Sequence, residues 1–227
     1  MSIIKTVFTG STLAAQQSEL LNYLETNATD YFDEISADSS GNISCYVGET
    51  VALLIGMDGT TARRVTLTNG TYVELTSVTT ASNPRSALFK CGKKTANGIL
   101  LVAASSMIGS YNAGSTTIFI TRNENNETCI LGYFQETNNQ SSTATYFFAD
   151  IKNDNSIFKP LTNTTYSNLS QLSRSAPMTA LTPVIFNGGH YAPKAFVTTF
   201  NQFALTEADL SINGKSYTTD GVIALED

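Results

Sequence analysis

The feature of this sequence that most constrains its fold is a change of hydrophobic period near residue 41. Between residues 12 and 35 apolar residues recur every three or four positions, which lines one face of a helix. From residue 41 onward they recur every second position, as in strands with one buried face. Turn signals interrupt this second region about every eight to twelve residues. They are Ser40-Gly41-Asn42, Asp58-Gly59, Asn69-Gly70, Asn97-Gly98, Gly188-Gly189, Asn213-Gly214 and Asp220-Gly221.

These turns also indicate how the strands pair. Asn and Gly tolerate the positive φ of tight hairpin turns, and hairpins join antiparallel strands. Parallel strands would need crossover connections of about a dozen residues, and none is visible. The sequence therefore predicts a mainly β fold, an antiparallel β-sandwich or open barrel preceded by one N-terminal amphipathic helix. The predicted strands are ISCYVG, TVALLIG, RRVTL, TYVELTSV, SALFKCG, GILLVAAS, TTIFITR, TCILGYF, TYFFADI, FKPL, PVIF, KAFVTTF and the pieces that follow.

The pattern divides the chain into three segments. Residues 1–36 are predicted to form an N-terminal strand and helix, residues 37–161 the main antiparallel β body, and residues 162–227 a linker and C-terminal β segment. That last segment is either part of the same domain or a separate unit. Polar residues from Thr137 to Thr145 predict a surface loop, and the polar residues 162–177 predict a link to the closing segment.

The N-terminal helix has an identifiable start and a weak end. Ser11 or Thr12 can cap its first turn, and residues 26–30 have low helix propensity, so the helix either bends or ends early there. Its apolar stripe packs either on this chain's own sheet or on a neighbouring subunit. The stripe consists of Leu13, Gln17, Leu20, Leu21, Leu24, Ala28, Tyr31, Phe32 and Ile35.

Charge excludes several classes of partner. Charged residues make up 14% of the chain and the net charge is −6, whereas soluble domains usually contain about 25% charged residues. Arg63-Arg64 and Lys93-Lys94 are the only adjacent basic pairs, so we expect no nucleic-acid partner and no anionic membrane surface. No apolar run approaches the roughly 18 residues of a membrane span, and MSIIKTVFTG does not resemble a secretory signal. Synthesis in the cytoplasm without export follows as an expectation.

Three cysteines, Cys45, Cys91 and Cys129, lie in strand-like segments without a CxxC motif. Because their number is odd and the single histidine is distant in sequence, we expect buried free thiols and not a metal or redox centre.

His190 is the one side chain that would serve as a general base near neutral pH. A hydrolase would also need a Ser or Cys nucleophile and an orienting acid, but no G-x-S-x-G motif is present. The neighbouring Gly188-Gly189 pair instead favours a histidine in a turn.

Acidic residues suggest two further kinds of site, a glycosidase pair and a calcium loop. Neither spacing matches a known arrangement, since an EF-hand loop needs alternating acids and a closing Glu. The sequence also contains no glycine motif of the kind that binds phosphate. We therefore predict no catalytic, cofactor-binding or metal site and no enzymatic activity. The acidic pairs are Asp33-Glu34, Glu207 with Asp209, and Asp150 with Asp154, and the acidic loops are Asp150 to Asn155 and Asp38 to Asn42.

Aromatic residues in the second half exceed what one inward face accommodates by simple alternation. Tyr146, Phe147 and Phe148 are consecutive, so at least one ring lies on the outer face of its strand, where a second sheet or a partner covers it. The set is Tyr133, Phe134, Tyr146, Phe147, Phe148, Tyr191, Phe196, Phe200 and Phe203.

The closing segment, APKAFVTTF followed by LSINGKSYTTDGVIALED, resembles the ends of structural proteins of tailed phages and prophages of gut bacteria. The shared pattern of two turns before a final apolar strand falls on Asn213, Gly214, Tyr217, Thr219 and Gly221. Two earlier segments also resemble such proteins in their pattern of a leading helix followed by strands with isolated cysteines and Asn-Gly turns. They are YFDEISADSSGNISCYVGE and SALFKCGKKTANGILLVAA. The resemblance implies a virion component of the tail, baseplate, collar or head surface, without catalytic residues.

Together these features lead to two functional hypotheses. The first is a non-enzymatic phage virion structural protein, made in the bacterial cytoplasm, that assembles as a homo-oligomer or with other virion proteins, its last strand completing its own sheet or a shared one. The second is a lectin-like or receptor-binding module that recognises cell-surface glycans.

Overall fold

The computed structural model describes residues 4–10, 13–58, 62–67, 72–76, 87–105, 113–138, 141–152, 181–186, 189–198, 208–219 and 223–227. Within these ranges the fold is mainly β, with antiparallel sheets and a helix near the N-terminus, as predicted. The elements are β1 Ile4–Val7, α1 Leu13–Asn27, β2 Glu34–Ala37, β3 Ile43–Val47, β4 Thr50–Asp58, β5 Ala62–Leu67, β6 Tyr72–Thr76, β7 Ala87–Lys94, β8 Ile99–Ser105, β9 Ala113–Arg122, β10 Thr128–Asn138, β11 Ser141–Asp150, β12 Leu181–Ile185, β13 Tyr191–Thr198, β14 Ala208–Ile212, β15 Lys215–Thr219 and β16 Ile223–Glu226.

The described strands form three sheets. The central sheet has six strands in the order β1-β7-β8-β9-β10-β11. The N-terminal sheet has the order β2-β3-β4-β5-β6, and the C-terminal sheet has the order β12-β13-β16-β15-β14. Neighbouring strands are mostly consecutive in sequence. The exceptions are β1, which lies beside β7, and β16, which lies between β13 and β15.

The middle strands of the central sheet, β8 and β9, are buried on both faces. Along β8, Ile99 and Leu101 face α1 and the N-terminal sheet, whereas Leu100 and Val102 face the C-terminal sheet. Ile118 and its neighbours on β9 alternate in the same way. A strand covered on both sides must be apolar at every position, which explains why ILLVA is a continuous apolar run. The two cores on either side of this sheet supply most of the hydrophobic stabilisation.

The helix packs on this chain's own sheets. Leu20, Tyr23 and Leu24 are buried in the core that the helix shares with the central and N-terminal sheets. The helix ends at Asn27, whose side-chain amide donates to the carbonyl of Tyr23 at 2.8 Å. The weak propensity of residues 26–30 therefore ends the helix early, and Ile35 of the apolar stripe lies in β2. The proposed caps, Ser11 and Thr12, lie outside the described residues.

The predicted surface loop from Thr137 to Thr145 was wrong. The strand β10 continues to Asn138 and β11 begins at Ser141, with Thr137 paired to Ser142. An antiparallel ladder is held by backbone hydrogen bonds, and threonine favours the extended backbone, so a hairpin can extend beyond its apolar part. The absence of apolar anchors was therefore not a sufficient reason to predict a loop.

The turn chemistry was a better guide. Asn213 and Gly214 both have positive φ, 52° and 77°, and they join β14 to β15 as the tight turn that the sequence predicts. Asn97-Gly98 likewise lies between β7 and β8. The predicted strand FKPL, the linker 162–177, and the turns at residues 58–59, 69–70 and 220–221 fall wholly or partly outside the described residues.

Candidate functional site

The three cysteines are free and buried, as predicted. Burial raises the pKa of the Cys45 thiol to about 12 and also raises the pKa of Cys129. Because the thiolate is the reactive form, both groups remain protonated and inert near neutral pH. Among the described residues no group of three His, Cys, Asp or Glu side chains is arranged to hold a metal ion.

His190 lies in the turn between β12 and β13, as the sequence indicates. Its Nδ1 lies 2.8 Å from Oε1 of Glu124, in the turn between β9 and β10, and 3.3 Å from the amide of Asn125. The second carboxylate oxygen of Glu124 accepts the backbone N–H of Tyr191 at 2.8 Å, and the N–H of Glu124 donates to the Tyr191 carbonyl at 3.0 Å. An acid therefore does orient the histidine.

Among the described residues, the third group of a catalytic triad is not in place. Within the described part of the chain, the hydrogen-bond partners of the His190 ring are Glu124 and Asn125, neither of which is a nucleophile. The pair instead joins a turn of the central sheet to a turn of the C-terminal sheet. Sequence reasoning missed Glu124 because the two residues are 66 positions apart.

The same pair predicts a pH-dependent stability. The hydrogen bond to Glu124 raises the pKa of His190 above its ordinary 6.5. The pKa of Glu124 is lowered from 4.5, mainly by the Tyr191 backbone bond. The stabilising contribution of His190 to the folded state is therefore complete below pH 6.5 and is lost as pH rises through its folded-state pKa. The stabilising contribution of Glu124 is present above pH 4.5 and is lost as pH falls through its lowered folded-state pKa.

His190→Gln should accordingly lower the free energy of unfolding slightly at pH 5.5 and hardly at all at pH 8.5. Urea denaturation of both proteins at the two pH values measures the difference, and NMR titration of the single histidine gives its folded-state pKa. An equal loss of stability at both pH values would show that the charge of His190 contributes nothing.

The predicted acidic groups have structural roles where they are described. Asp38 accepts hydrogen bonds from the backbone N–H groups of Ser40 and Asn42, which makes the Asp38 to Asn42 loop an Asx turn. Asp33 accepts the N–H of Gly48 at 2.6 Å, and buried Asp150 accepts the amide of Asn123 at 3.0 Å. Glu207 and residues 153–155 lie outside the described ranges.

Asp209 has a role that the sequence did not suggest. Its carboxylate pairs with the ammonium of Lys93, a residue on β7 whose side chain is only 2% exposed. The pair links β14 to β7 and so ties the C-terminal sheet to the central sheet. A buried lysine of this kind would otherwise be costly.

A polar cleft of about 490 Å³ opens where the central and C-terminal sheets meet. Asp30 and Tyr31 line it from the connection after α1, and Asn97 lines it from the turn between β7 and β8. Arg122 lies over the Tyr31 ring at 5.2 Å from its centroid and donates to the carbonyl of Asp30. Arg122 therefore covers the aromatic surface that the cleft would otherwise expose.

The far wall of the cleft comes from the β9–β10 turn and from β13. Asn126 stands in the turn with φ of 64°, and its carbonyl accepts a hydrogen bond from Arg122. Pro193 and Lys194 contribute from β13, where Lys194 also pairs with Glu226 at 2.7 Å. The cleft thus combines amide, carboxylate and cationic groups.

Sheet edges are the second candidate surface. The last strand, β16, is not an edge, because it pairs with β13 on one side and β15 on the other. It completes its own sheet, and the alternative of a strand shared with a neighbour does not apply to it. The central sheet ends at β1, where Ile4 is 46% exposed and Val7 is 61% exposed.

The edge at β12 differs from the edge at β1. Ile185 is 55% exposed and lies opposite Tyr191 on β13, which is 43% exposed. Pro183 interrupts β12 at a register shift, and proline cannot donate a ladder hydrogen bond. Of these two edges, β1 is therefore better suited to accept an added strand.

No family model, curated protein or solved structure matches this chain. In the part of the chain that the structure describes, no helix is both long and apolar enough to cross a membrane.

Proposed function

We propose that this chain is a non-enzymatic structural protein of a tailed-phage virion, which assembles with copies of itself or with other virion proteins. The observation that carries the proposal is the exposed edge strand β1, which presents Ile4 and Val7 to solvent at the end of a long antiparallel sheet. Large exposed apolar residues on an edge strand invite another strand to pair.

The composition supports the same proposal. The chain has few ionisable groups, with 14% charged residues, and its resemblance to phage structural proteins rests on the closing turns. Its best-placed acid–base pair, Glu124 and His190, bridges two turns and has no nucleophile bonded to it among the described residues. A position in the tail, baseplate, collar or head surface suits a protein that acts through shape and strand pairing.

Detection in particles tests the proposal directly. Purified virions should contain the protein by mass spectrometry, and antibody-labelled particles should show it at a regular position by negative-stain microscopy. Its absence from purified particles would contradict the proposal.

The double substitution Ile4→Lys with Val7→Lys tests the role of β1. We expect it to weaken assembly at least about tenfold, because lysines on an edge strand oppose pairing with another chain. The free energy of unfolding should change by less than about 0.5 kcal/mol at Val7, because its side chain is exposed. It should fall somewhat more at Ile4, where the new lysine would lie opposite Lys94 on β7. Solution mass and incorporation into particles are the measurements.

Ile185→Lys is the matched control, since it makes the same change at an exposed isoleucine on the proline-interrupted edge. Assembly should persist in this variant. If both variants lose assembly equally, or if neither loses it, β1 is not the assembly interface.

A further inference from the structure

The cleft between the central and C-terminal sheets has the chemistry of a ligand site. Its volume of about 490 Å³ falls within the range of about 300–1,000 Å³ of small-molecule sites. Lining residues include two acids, Asp30 and Glu124, and two bases, Arg122 and Lys194, so the lining charge is balanced. Balanced charge favours a neutral ligand over a phosphate, a sulfate or a polyacid.

Part of the polar lining is available for a ligand. The carbonyl of Asn126 accepts from Arg122, while its side-chain amide has no hydrogen-bond partner among the described residues. Asn97 uses its amide nitrogen on the carbonyls of Glu226 and Asp227, at 2.9 and 3.3 Å, which leaves its amide oxygen as an acceptor. Lys194 spends one hydrogen bond on Glu226 and retains further donors.

An apolar surface borders these groups. Tyr191 and Pro193 are both exposed and flank buried Ala192 on β13. Glu124, which lines the cleft, holds the Tyr191 backbone through two hydrogen bonds. Amide donors and acceptors beside an aromatic ring suit a ligand that carries many hydroxyl groups on an apolar ring.

We infer that this cleft binds a neutral oligosaccharide, with Asn126 and Asn97 bonding sugar hydroxyls and Tyr191 packing against a sugar ring. The lining residues of the cleft do not include β1, the strand on which the proposed assembly rests. A virion protein with such a site would contact a glycan on the host surface while its edge strand holds it in the particle.

Asn126→Gly is the test substitution, because glycine keeps the positive φ while it removes the amide. Asn213→Gly is the matched control, since Asn213 is the other non-glycine described residue with positive φ and lies in the β14–β15 turn. Circular dichroism and thermal melting of both variants confirm that each retains the fold.

The isolated full chain is applied to an array of neutral and acidic oligosaccharides, and the affinity of any bound glycan is measured by calorimetry. We expect a neutral glycan to bind, with affinity reduced about tenfold in Asn126→Gly, the loss of one or two good hydrogen bonds, and unchanged in Asn213→Gly. No binding, binding of acidic glycans alone, or equal affinity in the two variants would overturn the inference. Asn126→Gly should still be incorporated into particles, because Asn126 does not lie on β1. A loss of glycan binding without a loss of incorporation then distinguishes a failure of this site from a failure of assembly.

Discussion

Deletion of residues 223–227 is expected to unfold the C-terminal sheet. These residues contain β16, which forms ladders with both β13 and β15, and Ile223, Ala224 and Leu225 are fully buried. Without β16 the sheet separates into two hairpins, and an isolated two-stranded hairpin is marginally stable in water. Ile223 and Leu225 also belong to the core shared with the central sheet, so that core would open.

Protease resistance and hydrogen exchange of residues 181–219 measure this effect. Leu225→Ala gives a graded version, with an expected loss of about 2–5 kcal/mol for a buried leucine. Ile185→Ala is its control in the same sheet, and it should cost little because its side chain is 55% exposed. A truncated chain that keeps native protection throughout the sheet would show that β16 is dispensable, and hence free to pair with a neighbour.

Gly92→Ala is expected to be strongly destabilising. A Cβ at this position on β7 would lie 2.5 Å from two ring atoms of Tyr23, far inside normal contact. Tyr23 is a buried residue of α1, and its ring packs edge-on against Phe8 with centroids 5.6 Å apart, so the ring has little room to move. Overpacking of this kind costs about 1–3 kcal/mol, occasionally more, because the interior is close-packed.

A double-mutant cycle separates this clash from a general loss of flexibility. Tyr23→Leu removes the ring atoms, so Gly92→Ala should cost at least about 1 kcal/mol less in the Tyr23→Leu background than in the wild type. Tyr23→Phe keeps the ring and should leave the cost unchanged. Urea denaturation of the single and double variants gives the coupling energy, and a value near zero with leucine would show that the ring does not limit this position.

Much of the secondary structure follows from local chemistry. The turns at Asn97-Gly98 and Asn213-Gly214 mark hairpins because Asn and Gly adopt conformations that other residues resist. The end of α1 at Asn27 follows from low helix propensity. The prediction of a loop from Thr137 to Thr145 was wrong because hydrophobic period alone cannot detect a hairpin that is held by backbone hydrogen bonds.

The candidate sites were far less predictable. Glu124 and His190, and likewise Lys93 and Asp209, are paired over long sequence separations. The cleft forms only when the connection after α1, two turns of the central sheet and β13 come together. Residue types gave no indication of these partners, because hydrophobic and turn patterns describe only neighbours along the chain.

The sequence by itself determined that this chain forms antiparallel hairpins after one helix, with buried free cysteines, because these properties depend on backbone preferences and on period. Only the tertiary structure decided that the last strand lies inside its sheet, that β1 forms an exposed edge, and that a polar cleft opens between two sheets. The order of strands in a sheet depends on which apolar faces bury each other across long separations. Which apolar faces pair depends on the packing of the whole chain, so no short segment of sequence indicates it.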